Sequence, residues 1–368
     1  MTSYRWIRPV LFRFDPELAH QATLTTCRML GRSGLVRQIV SRVFEFEDAC
    51  LATTVGGVEF SNPIGLAAGF DKNAIAIRLL PSLGFGTIEI GSVSAFPSQG
   101  NQLRPRLFRL PRDEGLMVYY GVPSHGADIV ARRLSSGGRS VPMGISLVET
   151  NRGRESRVDE VIAELTQAAR AFCSIVDYMV LNLNCPNSSG GRSAFDQPGN
   201  LGLLLDSFRD IAQLPPLFLK ITPPADPAMT DRILDAVRPY RFLRGFILNT
   251  HAPRPYAGLN TPQAELDRMH GSLTGAPLRE PVNAALRSWY RRIDRSRHAL
   301  IGVGGISSAE DAYRSIRAGA SLVQICTALV YRGPGLVQEL KKGLARLLKR
   351  DGIRNIADAV GIDNPRGA

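Results

Sequence analysis

The sequence has few cysteines, no long apolar run and no dense basic tract. Its five cysteines, at positions 27, 50, 173, 185 and 326, are an odd number without a CxxC pair. This pattern argues against a disulfide framework or a zinc site and favours a reducing compartment. Because no run of about 18 apolar residues occurs, no transmembrane helix is expected. Arg5, Arg8 and Arg13 would interrupt the apolar region of a signal peptide, so none is expected either.

The charge balance is basic, at +12 over 368 residues. Basic proteins bind nucleic acids, anionic membranes or acidic substrates. No tract has five or more Lys or Arg residues, and nothing resembles a nucleic-acid-binding module, so we predict no nucleic-acid partner. Part of the excess lies in residues 1–42, which carry seven Arg and only two acidic residues.

Residues 1–45 are predicted to form a helical pair. The first helix begins at the cap Asp15-Pro16, and the second carries Leu35, Ile39 and Val43 on one face. Two interpretations remain open at this point. The pair either packs as a cap on the rest of the chain or lies on an anionic membrane surface.

Eight short apolar runs follow, each bounded by Gly or Pro. They are PIGLAAG (63–69), GTIEIGS (86–92), PMGISL (142–147), YMVLNLN (178–184), PLFLKI (216–221), RGFILN (244–249), ALIGVGG (299–305) and SLVQICT (321–327). Continuous apolar runs are typical of parallel strands buried on both faces. With helical stretches between them, they predict an α/β fold, a (β/α)8 TIM barrel over residues 46–368.

Chemistry in such barrels lies at the carboxyl ends of the strands. Seven of the eight runs end in Lys, Asn, Gly, Cys or hydroxyl residues, which packing alone does not require. Gly304 and Gly305 end the seventh run, and Cys326 and Thr327 end the eighth. Barrels often bind phosphate at this place, so we predict a phosphate site there.

Lys220 ends the fifth run, and a buried Lys must be paired or have a shifted pKa. Three interpretations of Lys220 remain open. Its side chain snorkels to solvent, it is a fixed cation beside an anionic group such as a reduced flavin, or it forms a Schiff base. The fourth run leads into LNLNCPNSSGGR, where Asn182 and Asn187 surround Cys185. With Asn249, these amides suit a planar ring that bears C=O and N–H groups. Cys185 is a proton acceptor or nucleophile, or a small core residue, and the Gly/Ser segment after it is a candidate lid.

Six motifs in order resemble the dihydroorotate dehydrogenase family. They are SNPIGLAAGFDKN, GFGTIEIGSVS, NLNCPN, LKITP, IGVGGISS and GASLVQICTALVYRGP. The resemblance runs from about residue 4 to residue 363 and implies an FMN-containing barrel that oxidises dihydroorotate to orotate in pyrimidine synthesis. The motif DPELAH is similar to class 2 members, which associate with membranes and pass electrons to a quinone between their N-terminal helices.

The resemblance implies roles for particular residues. Cys185 would remove a ring-carbon proton while a hydride passes to the flavin, and Lys220 would steady the flavin. The substrate would contact Lys72, Asn182, Asn187, Asn249 and Thr250. The flavin would contact Ala67, Ala68, Gly69, Ser92, Asn182, Lys220, Gly275, Gly304, Gly305, Cys326 and Thr327. His20 and Arg106 would lie near the quinone passage, and no metal is implied.

The sequence departs from the family on the substrate side. Val118 stands where the family has a substrate-binding Asn, and Pro123 also replaces an Asn. Ser146 and Glu149 replace a flavin-side Asn and a Lys, and Cys185 is typical of the cytosolic class rather than class 2. The leading hypothesis is quinone-dependent dihydroorotate oxidation at the cytoplasmic face of an inner membrane, or at the mitochondrial inner membrane.

Three alternatives stay open. A family member could oxidise a different cyclic amide, because Val118 changes the pocket. A barrel without turnover could serve as a membrane-bound binding protein. A Schiff-base aldolase that uses Lys220 would bind no flavin.

Overall fold

The chain forms a closed barrel of eight parallel strands, preceded by helices and joined by two small sheets. The structure is a computed structural model, and it describes residues 4–183, 195, 197–250, 254, 256 and 258–364. The strands are β1 (Thr53–Val55), β2 (Val58–Phe60), β3 (Ile64–Leu66), β4 (Thr87–Val93), β5 (Leu107–Leu110), β6 (Gly115–Val118), β7 (Met143–Leu147), β8 (Tyr178–Asn182), β9 (Leu217–Ile221), β10 (Leu243–Leu248), β11 (Ser272–Gly275), β12 (Ala299–Val303) and β13 (Ala320–Ile325).

The helices precede the barrel and lie between its strands. They are α1 (Tyr4–Leu11), α2 (Pro16–Leu30), α3 (Gly34–Phe44), α4 (Ala127–Ser135), α5 (Val158–Phe172), α6 (Pro198–Asp206), α7 (Pro227–Val237), α8 (Gln263–Leu266), α9 (Arg279–Tyr290), α10 (Ala309–Arg317), α11 (Thr327–Arg332) and α12 (Leu336–Arg350).

The barrel confirms the predicted fold. Its strand order is β3-β4-β7-β8-β9-β10-β12-β13, and β13 pairs in parallel with β3 to close the ring. Each of the eight apolar runs overlaps one of these strands. The runs read as continuously apolar because the outward side chains pack under helices while the inward ones fill the barrel.

The N-terminal region has three helices rather than the predicted two. The additional helix, α1, contains Pro9, which weakens the helical signal because proline lacks a backbone N–H. Tertiary contacts hold α1 in place: Tyr4 Oη donates to Val330 O at 2.7 Å, and Arg8 Nη1 donates to Tyr331 O at 3.1 Å. Asp15 caps α2 as expected, since its side chain accepts from Leu18 N.

An antiparallel hairpin, β1–β2, closes the amino end of the barrel. Val55 and Phe60 pack in one buried cluster with the inward side chains Tyr178 and Phe218. The lower half of the barrel interior is therefore mostly apolar. Its hydroxyl groups, those of Thr87 and Tyr178, lie 3.2 Å apart and bond each other. This hairpin was not predicted from the sequence.

A second small sheet, in the order β11-β6-β5, stands beside the carboxyl ends of the barrel strands. Its pairing is antiparallel, with Val118 opposite both Ser272 and Leu107. This sheet was also not predicted, and it carries the substituted motif around Val118.

Candidate active site

One cavity of about 610 Å³ covers the carboxyl ends of the barrel strands and continues between the N-terminal helices. Most of the predicted site residues line it. On the barrel side the wall includes Ala67, Ala68, Gly69, Lys72, Ser92, Asn182, Lys220, Asn249, Thr250, Gly275, Gly304, Gly305, Cys326 and Thr327. Residues that are far apart in sequence thus meet around one space because all eight strands end at the same face.

Asn182, at the end of β8, is held by a chain of hydroxyl groups. Its Nδ2 donates to Ser92 Oγ at 2.9 Å, and Ser92 Oγ lies 2.9 Å from Ser146 Oγ. The amide oxygen of Asn182 and the hydroxyl of Thr250 are buried, and neither has a hydrogen-bond partner among the described residues. Two orphaned polar atoms on a cavity wall fit a ligand with polar ring groups, which would satisfy them.

Lys220 lies at the floor of this cavity. It is buried near the end of β9, paired in register with Asn182 on one side and Ile247 on the other. The inward direction follows from the strand alternation, since Phe218, two residues earlier, belongs to the cluster inside the barrel. Lys220 is therefore the neighbour of Asn182 in the sheet, and both residues line the cavity.

Lys72 brings a second ammonium group to the cavity. Its Nζ donates to Gly69 O at 2.7 Å and lies 4.2 Å from the centroid of the Tyr120 ring. Burial lowers the pKa of Lys72, and the charges of Cys326 and Asp71 partly offset that shift. Because the group keeps only these few partners, an anionic ligand in the cavity would strengthen its charged form.

Glycines shape the wall at the ends of β11 and β12. Gly304 and Gly305 have φ values of 109° and 76°, and a Cβ at Gly305 would lie 2.4 Å from Arg279 Cα. Glycine adopts this left-handed backbone readily, and because it has no side chain it lets a ligand approach the backbone closely. Beside them, Thr274 Oγ1 and Thr327 Oγ1 are 3.0 Å apart. A turn of this kind, with hydroxyl groups next to it, fits a phosphate group.

The outer part of the cavity is mostly apolar. It is lined by Leu11, Phe12, Ala19, Val40, Phe44, Leu79, Leu80 and Leu83. His20 of α2 lines it too, with its ring 5.2 Å from the ring of Phe70. Burial and the charge of Lys72 lower the pKa of His20 to about 4, so its imidazole is neutral at neutral pH. This passage suits a large apolar ligand rather than a charged one.

Arg106, which the resemblance places near the quinone passage, does not itself line the cavity. It is buried and ion-paired with Glu17 of α2, and its guanidinium lies 5.2 Å from the Tyr120 ring centroid, behind the cavity wall. Arg109, three residues further along the chain, lines the cavity and donates to Phe14 O at 2.9 Å. Neither Arg109 nor Tyr120 was predicted as a site residue from the sequence.

The substituted residues divide into two groups. Val118 lines the cavity, which brings an apolar side chain to the wall. Ser146 is buried behind that wall in contact with Ser92, and Pro123 and Glu149 are half-buried outside the lining. Burial and the neighbouring Glu164 raise the pKa of Glu149. Of these four described residues, Val118 is therefore the one that changes the surface that a ligand would meet.

Two predicted residues, Cys185 and Asn187, lie outside the described residues, as does the Gly/Ser segment predicted to form a lid. Asn182 and Leu183 lead the chain from β8 to that point. The positions of Cys185 and Asn187 in the sequence still follow directly from a strand that ends at the cavity.

Known proteins are similar to this chain over nearly all of its length. The model of the family described as dihydroorotate dehydrogenase matches residues 50–348. The chain belongs to the dihydroorotate dehydrogenase family. A dihydroorotate dehydrogenase (quinone) of Roseiflexus sp. is 36% identical over 367 residues, covering 98% of this chain and 99% of the relative. One of Halobacterium salinarum is 38% identical over 364 residues, with the same coverage.

A solved dihydroorotate dehydrogenase is also similar. The structure of the Eimeria tenella protein in complex with ferulenol superimposes with a TM-score of 0.79 at 28% identity, covering 96% of this chain and 98% of that one. Membership of the dihydroorotate dehydrogenase family implies a flavin cofactor and excludes the aldolase alternative for Lys220. The orphaned atoms of Asn182 and Thr250 and the glycine turn at 304–305 fit such a group.

Proposed function

We propose that this chain oxidises dihydroorotate to orotate with FMN as its cofactor and a quinone as the electron acceptor. The observation that carries the proposal is the continuity of the cavity. Polar residues that suit a small anionic ring and apolar residues that suit a quinone line the same space. The names of the relatives, dihydroorotate dehydrogenase (quinone), support the same substrate pair.

FMN would be held by backbone and side chains from several strand ends. The proposed contacts are Ala67, Ala68, Gly69, Ser92, Asn182, Lys220, Gly275, Gly304, Gly305, Cys326 and Thr327. The flavin supplies a hydride acceptor that can pass electrons on to a quinone. Lys220 would stabilise negative charge at this position, because its ammonium group is buried and fixed.

The remaining cavity residues would bind and orient the substrate. Dihydroorotate carries a carboxylate, which the ammonium group of Lys72 would pair with. The unpartnered oxygen of Asn182 would accept a hydrogen bond from a ring N–H, and Thr250 would offer its hydroxyl. Asn187 and Asn249 would bind the ring edges. Cys185, which follows β8, would take the proton from the ring carbon.

The N-terminal region, residues 1–45, would dock peripherally on a membrane, with residues 46–368 forming the barrel domain. Large apolar side chains of its helices are exposed, including Trp6 at 71%, Leu18 at 63%, Leu35 at 67% and Val43 at 60%. Seven arginines lie in the same region. Among the residues that the structure describes, no helix is long and apolar enough to cross a bilayer. Exposed apolar side chains together with arginines suit an anionic membrane surface, from which a quinone would enter.

One experiment tests the reaction. The FMN-loaded protein should be yellow, lose its colour when dihydroorotate is added without oxygen, and regain it when a quinone is added. The variant K220M should show slower loss of colour, because it removes the fixed cation. A protein that takes up no FMN would contradict the whole proposal. A yellow protein that dihydroorotate does not bleach would instead indicate a different cyclic amide as substrate, a consequence of Val118.

A further inference from the structure

A polar pair is buried inside the barrel, directly below the cavity. Glu89 of β4 and Gln324 of β13 are 0% and 1% exposed, and Gln324 Nε2 donates to Glu89 Oε2 at 2.7 Å. Gln324 reaches the cavity wall. The space for its side chain comes from Gly65, its register partner on β3, where a Cβ would lie 3.3 Å from Gln324 Cγ. The absence of a side chain at Gly65 thus leaves space inside the barrel for this pair.

The hydrogen bonding of the pair is incomplete for an ionised carboxylate. Glu89 Oε1 and Gln324 Oε1 are both buried, and neither has a partner among the described residues. Asp71, an equally buried carboxylate, shows the contrast. Its oxygens accept from the backbone N–H groups of Ile75 and Ala76 at 2.9 and 2.7 Å. A buried carboxylate with one of its two oxygens unpaired is costly, because its charge is not fully solvated or paired.

A single proton on Glu89 would give both unpartnered oxygens, Glu89 Oε1 and Gln324 Oε1, a hydrogen bond. On Glu89, a proton converts the orphaned oxygen from an unsatisfied acceptor into a donor. Gln324 Oε1 is an acceptor of the matching kind, so acid and amide can pair through two hydrogen bonds instead of one. A carboxylic acid kept neutral by an apolar site so that it can donate is a known catalytic device.

The groups facing Glu89 act in opposite directions. Burial raises the pKa of Glu89 and is the largest influence. The charge of Lys220, the amide of Gln324, the backbone N–H of Ala68 and the hydroxyl of Tyr178 lower it. Lys220 is not close enough to form an ion pair, since every ion pair between described residues has arginine as its cation. The cost of burial therefore prevails over the attraction to Lys220.

We infer that Glu89 is a neutral carboxylic acid, joined to Gln324 by its proton, and that it thereby leaves the positive charge of Lys220 uncompensated at the cavity floor. Glu89 is then a positioning residue: it fills the space beneath the cavity without neutralising the cation. An ionised Glu89 would cancel part of the field that Lys220 directs at the ligand. This role for Lys220 rests on the proposed flavin function, whereas the protonation of Glu89 does not.

Infrared spectroscopy tests the protonation directly. At pH 8, ordinary carboxyl groups, with pKa values of about 4, are ionised and give no carboxylic-acid C=O band. The protein should show such a band at pH 8, and E89Q should lose it. The matched control E149Q, which removes a half-buried carboxyl group outside the cavity wall, should retain the component lost in E89Q. The absence of any carboxylic-acid band from the unmodified protein would overturn the inference even if E89Q does not fold.

The flavin midpoint potential, measured with chemical reductants, tests the consequence for Lys220. Since E89Q exchanges one neutral group for another, it should change the equilibrium constant for two-electron reduction by less than threefold. K220M should lower that constant by more than tenfold, or about 30 mV for a two-electron couple. A rise of more than tenfold in E89Q would show that a negative charge had been removed and would overturn the inference. Neither measurement uses dihydroorotate, so a failure of the proposed substrate would leave both results valid.

Discussion

Glu17 of α2 and Arg106, the residue before β5, form a buried ion pair that fastens the N-terminal helices to the barrel. Arg106 Nε lies 3.3 Å from Glu17 Oε2 and its Nη2 bonds Oε1, while both side chains are 7% exposed. R106M would leave a buried carboxylate without its main partner. We expect a loss of about 3–5 kcal/mol in the free energy of unfolding, measured with denaturant.

The exposed pair Arg154–Glu160 supplies a control for that measurement. R154Q should cost less than about 1 kcal/mol, because the pair is screened by solvent. Burial alone would raise the pKa of Glu17, but Arg106 and Arg104 hold it below its ordinary value. The stabilisation is therefore present above the ordinary Glu pKa and is lost as the pH falls through the lower pKa of the folded state. Equal stability of R106M and R154Q would contradict this account.

Val118 is predicted to weaken the binding of dihydroorotate. It presents an apolar side chain to the cavity where an amide could bond a polar ring edge. V118N should strengthen binding by about 1–3 kcal/mol, seen as at least a fivefold lower KM in steady-state kinetics. V118L, which adds no polar group, should leave KM within twofold or raise it. A higher KM in V118N would indicate that the pocket is shaped for another ring.

Cys185 is predicted to accept the proton from the substrate. C185A should bind FMN and stay yellow, yet its anaerobic reduction by dihydroorotate should slow by at least about 100-fold, as expected for loss of a general base. C173S is a suitable control, because Cys173 ends α5 and is not among the residues that line the cavity. Reduction of C185A at the rate of C173S would remove Cys185 from this role.

The exposed apolar face of α3 is predicted to bind anionic membranes. Leu35 and Ile39 are 67% and 51% exposed, so the double variant L35D/I39D should fold normally. Each buried side chain of this size contributes about 1.5–3 kcal/mol, so binding to phosphatidylglycerol–phosphatidylcholine vesicles should fall at least tenfold in a sedimentation assay. L203D, at a 59% exposed leucine on α6, should bind like the unmodified protein. If L35D/I39D and L203D bind vesicles equally well, the N-terminal helices serve only as a cap on the barrel.

His298 is predicted to make stability depend on pH. Both ring nitrogens are buried without a partner among the described residues, and the ring packs 5.5 Å from that of Phe246. Burial and Arg297 lower the pKa of His298 to about 4. The unfolded chain binds this proton below about pH 6.5, so stability should fall from pH 6.5 to 4 by at most about 1.4 kcal/mol per pH unit. H298F should reduce this slope in denaturant titrations, and an unchanged slope would assign it to other groups.

The barrel could be predicted because its strands are local apolar runs with polar residues at their ends. The small sheet could not, since Ser272 pairs with Val118 across more than a hundred residues of chain and neither strand exceeds four residues. The helix α1 was missed because Pro9 and two arginines conceal its pattern. The location of Arg106 depends on Glu17, a partner that no local pattern indicates.

In this barrel, the residues that stabilise the fold and the residues that bind ligands lie at opposite ends of the same eight strands. The apolar cluster that contains Phe60 and Tyr178 packs at the amino end of the barrel. The residues that line the cavity, such as Asn182 and Val118, lie at the carboxyl end. Substitutions at the ligand end can therefore accumulate without loosening the scaffold. Such a division makes the chain evolvable: new substrate preferences can be selected at the mouth of the barrel while the sealed end preserves the fold.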